Sequence, residues 1–222
     1  KNNIDNLISK LSVMQEKYIS ADTEQRKAIF SSNRDLFNLL KKEDNKSNAL
    51  DIAALFIFLN KTCFNGLYRV NRNGDFNVPV GAYKNPLICD ELNLKNNSEL
   101  LQNVKIICGD YRKCKNFIDN ETFVYIDPPY RPLTQTSSFT SYSSKVFDDK
   151  EQIRLAKFIN VISEKGAIVV ASNSDPQNTD ENDMFFDDLY KNYSIKRIQA
   201  KRMINSKGNG RGNINELLIS NF

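Results

Sequence analysis

The chain contains no histidine, and this absence excludes several catalytic arrangements. Ser-His and Cys-His nucleophilic systems both use an imidazole as the general base. Four cysteines are present, Cys63, Cys89, Cys108 and Cys114, but no CxxC pair, which argues against a structural zinc site or a disulfide framework. We therefore expect reduced thiols and no metal. Catalysis has to use carboxylates, backbone groups or a bound cofactor.

Long apolar runs are also missing from the sequence. A membrane-spanning helix needs about 18 or more apolar residues, and no such run occurs. The N-terminal residues KNNIDNLISK do not have the pattern of a signal peptide. We therefore expect a cytoplasmic protein without a membrane partner. Its 222 residues are enough for one substantial core with a smaller appended unit.

The net charge of +4 is unevenly distributed. From Tyr193 to Asn213 there is no acid, and the basic residues are Lys196, Arg197, Lys201, Arg202, Lys207 and Arg211. The stretch before it is acidic, with Asp175, Asp180, Glu181, Asp183, Asp187 and Asp188. Two interpretations stay open: two solvated faces, or a basic segment that contacts a phosphate backbone.

Hydrophobic periodicity predicts helices first and an α/β pattern later. Helical spacing is found in NIDNLISKLSVMQEKY, QRKAIFSSNRDLFNLLKK and SNALDIAALFIFLNKT. A segment rich in Asn, Gly and Pro follows, in which NGLYRV and DFNVPV flank NRNG and predict a hairpin. From Val104 onwards, we predict buried strands in VKIICGDY, TFVYIDPPY and AIVVASNS, further strands in YSIKRIQAKR and INELLISNF, and helices in DDKEQIRLAKFINVISEKG and MFFDDLYKNY. This alternation predicts a mostly parallel sheet covered by helices.

The carboxyl ends of two predicted strands carry acids, Asp110 and Asp127. Ligands of open α/β sheets bind at this edge, so we expect the two acids to share one pocket. The alternative for Asp110 is a turn or helix N-cap. After Asp127, the two prolines Pro128 and Pro129 can continue neither a strand ladder nor a helix, so the chain must turn.

The residues of this turn have the chemistry to hold a planar ring that carries an amine. The Asp127 carboxylate and the Pro128 carbonyl can both accept hydrogen bonds from the amine, and the Tyr130 ring can stack on the base. Such acceptors pull the nitrogen lone pair out of conjugation and aim it at an electrophile. This chemistry requires neither a metal nor a histidine.

These residues, DPPY, resemble the catalytic motif of S-adenosylmethionine-dependent amino methyltransferases, and the leading Asp is closer to the adenine-N6 enzymes. The segment LNKTCFNGLYRVNRNGDFNVPVGAYKNP resembles the DNA-recognition region of the Dam/DpnM family (class α). RPLTQTSSFTSY resembles the loop after the motif, and AKRMINSKGNGRGNINELLISNF resembles the family's C-terminal end. The resemblance covers most of residues 50–222.

The resemblance implies a Rossmann-like methyltransferase sheet with a mostly helical DNA-recognition insertion that carries a β-hairpin. It divides the chain into a helix of the catalytic domain (1–22), a target-recognition domain (23–98) and the remaining catalytic domain (99–222). The activity implied is methyl transfer from S-adenosyl-L-methionine to the N6 atom of a flipped adenine in GATC. Asp127, Pro128, Pro129 and Tyr130 would be catalytic, and Asp110, Tyr111 and Asp127 would bind the cofactor.

Double-stranded DNA is the partner that the resemblance implies. Arg69 would bind guanine in the major groove, Leu67 and Pro79 would contact base edges, and Phe64 would wedge into the stack. Asn65, Gly66 and Asn71 would shape the loop or reach phosphates. Weaker candidates for contacts with the DNA backbone are the loop residues Ser137, Ser138, Phe139, Thr140 and Tyr142. The phosphates would be bound by Lys201, Arg202, Lys207 and Arg211.

One part of the family pattern is not found in the sequence. Upstream of the recognition segment, neither the FxG loop of the cofactor segment nor the acid that binds the ribose hydroxyls is found, so we expect weak binding of S-adenosylmethionine unless a partner chain supplies them. Two alternatives stay open: a GATC-binding module without activity, and the same chemistry on RNA or a protein amide. We expect a monomer of prokaryotic or phage origin, which works alone or with a restriction endonuclease.

Overall fold

The computed structural model describes residues 2–43, 45–132, 147–201 and 213–222, with the backbone alone at Lys201. These residues form two compact units. Of the described residues, those up to 107 belong to the first unit and those from 108 onwards to the second. The domain boundaries implied by the resemblance divide the chain by function, and they stay a prediction. In the described part, none of the helices has the length and apolar character needed to cross a bilayer.

The first unit is built on the three helices that periodicity predicts. They are α1 (Ile4–Ile19), α2 (Thr23–Lys42) and α3 (Ala49–Thr62). Helix α2 begins with a capping box, because the Asp22 carboxylate accepts from the Gln25 N–H and the Gln25 side chain accepts from the Asp22 N–H. A fourth helix, α4 (Glu91–Leu100), was not predicted, since its apolar residues are too few to form a continuous stripe.

Aromatic side chains fill the core of the first unit. Tyr18 of α1 meets Phe58 of α3 edge to face, with 5.4 Å between ring centroids. Phe37 of α2 meets Phe76 in the same geometry at 6.2 Å. All four rings are buried, so the helices and the segment that follows them share one core.

The second unit contains a four-stranded sheet in the order β1-β2-β4-β3. The strands are β1 (Phe123–Ile126), β2 (Ile168–Ser174), β3 (Ser194–Lys201) and β4 (Asn213–Ser220), and the helices are α5 (Asp149–Glu164) and α6 (Phe185–Leu189). The apolar stripe of α5 packs on the sheet. The predicted α/β class is confirmed.

The described sheet is mixed, whereas the sequence predicts a mostly parallel one. Only the pair of β1 and β2 is parallel, and β4, which lies between β2 and β3, runs antiparallel to both. Strand β3 therefore runs in the same direction as β1 and β2, although it is bonded to neither of them in this sheet. Apolar patterning within a strand records which face is buried and carries no information about direction.

Two predicted buried strands differ in the structure. Residues 104–108 form no strand, and Ile106 is 70% exposed and Ile107 42% exposed. Strand β1 is present, but it is the edge strand of the described sheet and only alternate residues are partly covered, with Phe123 and Tyr125 exposed. Short apolar runs indicate a tendency to pair, and the available neighbours decide whether pairing and burial occur.

The stability of the second unit should depend on the buried face of α5. We expect Ile162→Ala, at a fully buried position, to lower the free energy of unfolding by about 2–5 kcal/mol because it leaves a cavity. Ile153→Ala on the same helix is the matched control: its side chain is 39% exposed, so it should cost about 1 kcal/mol or less. Urea unfolding followed by circular dichroism measures both. Equal losses would contradict the packing described here.

Candidate functional site

The DPPY residues leave the sheet at the carboxyl end of β1. Asp127 is exposed, and its Oδ1 accepts a hydrogen bond from the Ser172 hydroxyl at 3.2 Å. Partial burial raises the pKa of Tyr130, and the Ser172 hydroxyl opposes that shift. One serine of β2 therefore binds the acid that the sequence predicts to be catalytic.

The backbone of the turn is held by two buried amide side chains. Gln152 of α5 donates from Nε2 to the Pro129 carbonyl at 3.1 Å, and its Oε1 accepts from Asn173 Nδ2 at 3.1 Å. Asn173 Oδ1 in turn accepts from the Arg131 N–H at 3.0 Å. The Ser174 hydroxyl donates to the Arg131 carbonyl at 2.7 Å. Both sides of the turn are thus attached to β2 and α5.

The Arg131 side chain forms a second attachment. Its guanidinium donates to Asp149 at the start of α5 from Nε at 2.7 Å and to Asp183 from Nη1 at 2.6 Å. It also lies over the Phe185 ring, 4.4 Å from the centroid. The hydrogen bond to Asp149 raises the pKa of Arg131, although burial acts in the opposite direction.

The sequence patterns do not single out these supporting residues, although two of them have a recognisable signal. Gln152 is a polar residue on the apolar face of α5, in line with the buried Leu155, Ala156 and Ile159. Asn173 belongs to a polar run that ends the apolar strand AIVVASNS. A buried polar side chain needs partners, and here Gln152 and Asn173 bind each other and the DPPY turn.

A cavity of about 350 Å³ lies beside Asp127 in the second unit. Its lining is largely apolar and aromatic, with Tyr111, Cys114, Ile118, Val124, Tyr125, Ile126, Asp127, Pro128, Pro129, Phe147, Leu155 and Phe158. The structure therefore brings the predicted residues Tyr111 and Asp127 together. Within the described part of the chain, the buried Tyr111 hydroxyl has no hydrogen-bond partner.

The other predicted acid, Asp110, is not among the residues that line this cavity. It is the N-cap of the 3₁₀ helix Tyr111–Phe117 and accepts from the Arg112 N–H at 3.0 Å. Its carboxylate also binds the side chains of Arg112 and Arg154. These bonds, led by that of the Arg112 side chain, hold the pKa of Asp110 well below its usual range. The N-cap alternative describes its position, and its predicted role in cofactor binding stays a prediction.

The predicted hairpin is present in the first unit as a short two-stranded ribbon. Isolated bridges pair Val70 with Phe76 and Cys63 with Val80. Asn38 of α2 binds the ribbon as a strand would, since its side chain accepts from the Phe76 N–H at 2.7 Å and donates to the Phe76 carbonyl at 3.1 Å. The buried side of the ribbon is therefore fixed on the helices.

The predicted DNA contacts lie on the exposed side of this ribbon. Side chains alternate along it, so Tyr68, Phe76 and Val78 turn toward the core. The exposed members of the set are Phe64, Asn65, Leu67, Arg69, Asn71 and Pro79.

Arg69 is held within the ribbon by a single neighbour. Its Nε donates to Asn77 Oδ1 at 2.8 Å, and its Nη2 donates to the Asn77 carbonyl at 3.1 Å. A guanidinium has five N–H donors, so these two bonds leave further N–H donors available at the end of the side chain.

Asn and Gly residues of the predicted set shape the loops. The Asn71 side chain accepts from the N–H groups of Asn73 and Asp75 at 2.9 and 3.0 Å and so closes the turn. Asn65 and Gly66 both have positive φ, 53° and 60°, which Asn and Gly tolerate best.

Some predicted contacts lie outside the described residues. They are Ser137, Ser138, Phe139, Thr140, Tyr142, Arg202, Lys207 and Arg211, together with the side chain of Lys201. Of the basic segment, Arg197 is described, and it pairs with Asp175 at 2.9 Å and with Asp187 at 2.8 Å. The acidic and basic stretches are therefore partly bonded to each other.

Comparison with known proteins identifies the family. The profile of the D12 class of N6 adenine-specific DNA methyltransferases matches residues 1–204. The chain belongs to this family. The predicted enzyme class, an adenine-specific DNA methyltransferase, is confirmed by this membership.

Named relatives agree with the family. The type II methyltransferase M.MjaIII of Methanocaldococcus jannaschii is 52% identical over 223 residues, which cover 100% of this chain and 74% of the relative. Type II methyltransferase M1.LlaDCHI of Lactococcus lactis subsp. cremoris is 39% identical over 80% of the chain and 61% of the relative. The DNA adenine methylase of Escherichia coli (strain K12) is 34% identical over 83% and 64%. The match thus spans from about three-fifths to three-quarters of these relatives' lengths.

The lowered pKa of Asp110 predicts a pH-dependent contribution to stability. A carboxyl group with a depressed folded pKa stabilises the fold above its unfolded pKa, about 3.9, and this contribution disappears as the pH falls through the folded pKa. Asp110→Asn keeps an N-cap acceptor and removes the charge. The variant should be less stable than the parent at pH 7, and the difference should shrink below about pH 4.

Thermal unfolding at pH 7 and pH 3 measures this difference. Asp188→Asn is the matched control, because it removes the same charge from an exposed acid of the second unit. A stability difference for Asp110→Asn that did not change between these pH values would contradict the role of the ion pairs.

Proposed function

We propose that this protein transfers the methyl group of S-adenosyl-L-methionine to the N6 atom of a flipped adenine in GATC sequences of double-stranded DNA. The observation that carries the proposal is the DPPY turn, which presents a carboxylate and an aromatic ring beside an apolar cavity. Family membership supplies the class of reaction, and the donor and the target sequence are the proposed parts.

The cavity fits the proposed donor in its chemistry. Aromatic walls suit a flat ring, the unpartnered Tyr111 hydroxyl can bind a polar edge, and the Asp127 carboxylate favours a nearby sulfonium charge. Tyr111 and Asp127 would hold the cofactor, and Asp110 would join them only by giving up bonds to Arg112 or Arg154. When bound, S-adenosylmethionine supplies an electrophilic methyl group.

The catalytic turn would orient the adenine amine. Asp127 and the Pro128 carbonyl accept its two N–H groups, which localises the nitrogen lone pair and directs it away from the ring plane. Tyr130 stacks on the flipped base and fixes that plane. As the N–C bond forms, the C–S bond of the sulfonium would break and its electron pair would stay on sulfur as a neutral thioether. The methylated nitrogen would carry a positive charge and release its proton to solvent.

Recognition of GATC would depend on the exposed side of the ribbon in the first unit. The terminal edge of the Arg69 guanidinium would donate to guanine O6 and N7 as a pair. Asn77 supports this role, because it holds the other edge and so limits rotation of the side chain before DNA binds. Leu67 and Pro79 would contact base edges, and Phe64, which is 52% exposed, would enter the stack.

The biological setting is part of the proposal. Two of the relatives are named type II methyltransferases, which supports a function beside a restriction endonuclease. We further propose that the enzyme acts as a monomer and that the functional domains divide near residues 22 and 98.

Methyl transfer to defined duplexes tests the reaction. With the full-length protein and labelled S-adenosylmethionine, label should enter a duplex with one GATC and should not enter the same duplex methylated at the N6 atoms of its GATC adenines. Asp127→Asn should lower the rate by about 100-fold or more, because a preorganised acceptor is lost. Asp188→Asn, an exposed acid of the same unit, should leave the rate unchanged.

Other outcomes of this experiment favour specific alternatives. Label in neither duplex, with GATC binding intact, would favour a binding module without activity. Label in both would show that GATC is not the target, and transfer to RNA alone would place the chemistry on another substrate.

The role of Arg69 predicts a loss of sequence discrimination. Arg69→Met should reduce the difference in binding free energy between GATC and non-cognate DNA by about 1–3 kcal/mol, because one bidentate guanine contact is lost. Arg72→Met in the turn of the same ribbon removes the same charge, and it should weaken binding to both duplexes alike. Fluorescence anisotropy with both duplexes measures the ratio of the two affinities. An unchanged ratio for Arg69→Met would rule out its role in reading guanine.

A further inference from the structure

We propose that Ser172 is a positioning residue for methyl transfer, which orients the Asp127 carboxylate toward the adenine amine. The inference rests on the proposed role of Asp127 at the adenine. It concerns a side chain of the neighbouring strand that donates a hydrogen bond to this carboxylate and that lies outside the DPPY motif.

The sheet register fixes where Ser172 lies. In the parallel pair of β1 and β2, Ile126 is the partner of Ala171, so the next residues, Asp127 and Ser172, are adjacent as β1 ends. Ser172 is held from its other side as well, because its partner in β4 is Leu218. A central strand with neighbours on both sides has little freedom to move, and the hydroxyl shares that rigidity.

The single donor of the Ser172 hydroxyl is directed at the end of β1. A hydroxyl has one donor and two acceptor positions. It donates to Asp127 Oδ1 at 3.2 Å, with the Ile126 carbonyl also nearby at 3.5 Å. Ser172 is only 5% exposed, so water has little access to replace these bonds.

This arrangement constrains what the exposed groups present to a substrate. The bond from Ser172 to Oδ1 restricts rotation of the exposed Asp127 carboxylate, and the other oxygen would accept from the amine. Such alignment matters most in the transition state, so its loss should lower kcat with little effect on KM.

Removal of the hydroxyl should leave the turn in place. The turn's backbone is bound by Gln152, Asn173 and Ser174 through bonds that do not involve Ser172. The alanine variant therefore separates the orientation of the Asp127 carboxylate from the position of the turn.

Two kinds of substitution test the inference in the full-length protein. Ser172→Ala removes the hydroxyl. Ser172→Thr and Ser172→Val have nearly the same shape and differ by the hydroxyl, so their ratio isolates it even if the added bulk slows both. Ser220→Ala is the matched control, because it removes a hydroxyl of β4 that donates to the Phe222 carbonyl at 3.0 Å.

Steady-state methylation of a GATC duplex gives kcat and KM for each variant. We expect Ser172→Ala to lower kcat by about 10-fold to 100-fold relative to the wild type. Ser172→Val should lower kcat by about the same factor relative to the Thr variant, roughly 10-fold to 100-fold. KM for DNA and the melting temperature should change little, and Ser220→Ala should match the wild type in all three. An unchanged kcat in Ser172→Ala, or equal kcat values for the Thr and Val variants, would overturn the inference.

Asp127→Asn, measured beside these variants, distinguishes the two proposals. If Asp127→Asn is inactive while Ser172→Ala retains the wild-type kcat, the proposed function stands and the positioning role of Ser172 fails. If Asp127→Asn retains full activity, the proposed function fails, and the inference about Ser172 fails with it.

Discussion

The DPPY turn has to be held without backbone donors at its two prolines, and much of the second unit is arranged around that constraint. Pro128 and Pro129 have no N–H groups, so the chain that leaves β1 cannot continue the ladder to β2. Side chains take over where the ladder ends: Gln152 and Asn173 bind the turn at the Pro129 carbonyl and the Arg131 N–H. These side-chain bonds attach the turn to β2 and α5.

The supporting residues lie on strand β2 and helix α5. Strand β2 is bonded on both sides and α5 packs on the sheet, so Asn173 and Gln152 are both buried. Buried amides are costly without partners, and each satisfies the other as well as the turn. Arg131 adds ion pairs to Asp149 and Asp183 at the rim of the same network. The supporting amides are therefore buried, whereas the groups that would contact a substrate are exposed.

The ribbon of the first unit also has one side that is packed and one side that is exposed. Aromatic and branched side chains such as Tyr68, Phe76 and Val78 pack on the helices, and the alternate residues are exposed. The Asn38 side chain accepts from the Phe76 N–H, as a neighbouring strand would, and the Asn71 side chain closes the turn. Packing on one side therefore leaves the other side with a fixed spacing of side chains.

Local pattern by itself determined the three N-terminal helices, the ribbon, the long helix α5 and the turn at Pro128, since periodicity and proline geometry act over a few residues. Only the tertiary structure decided that residues 104–108 stay outside the sheet, that β4 is antiparallel, and that Arg154 engages Asp110. The same is true of Ser172, which lies 45 residues from Asp127 in sequence and is brought beside it by the parallel register. Contacts of this kind arise from packing between distant elements, and no local rule contains them.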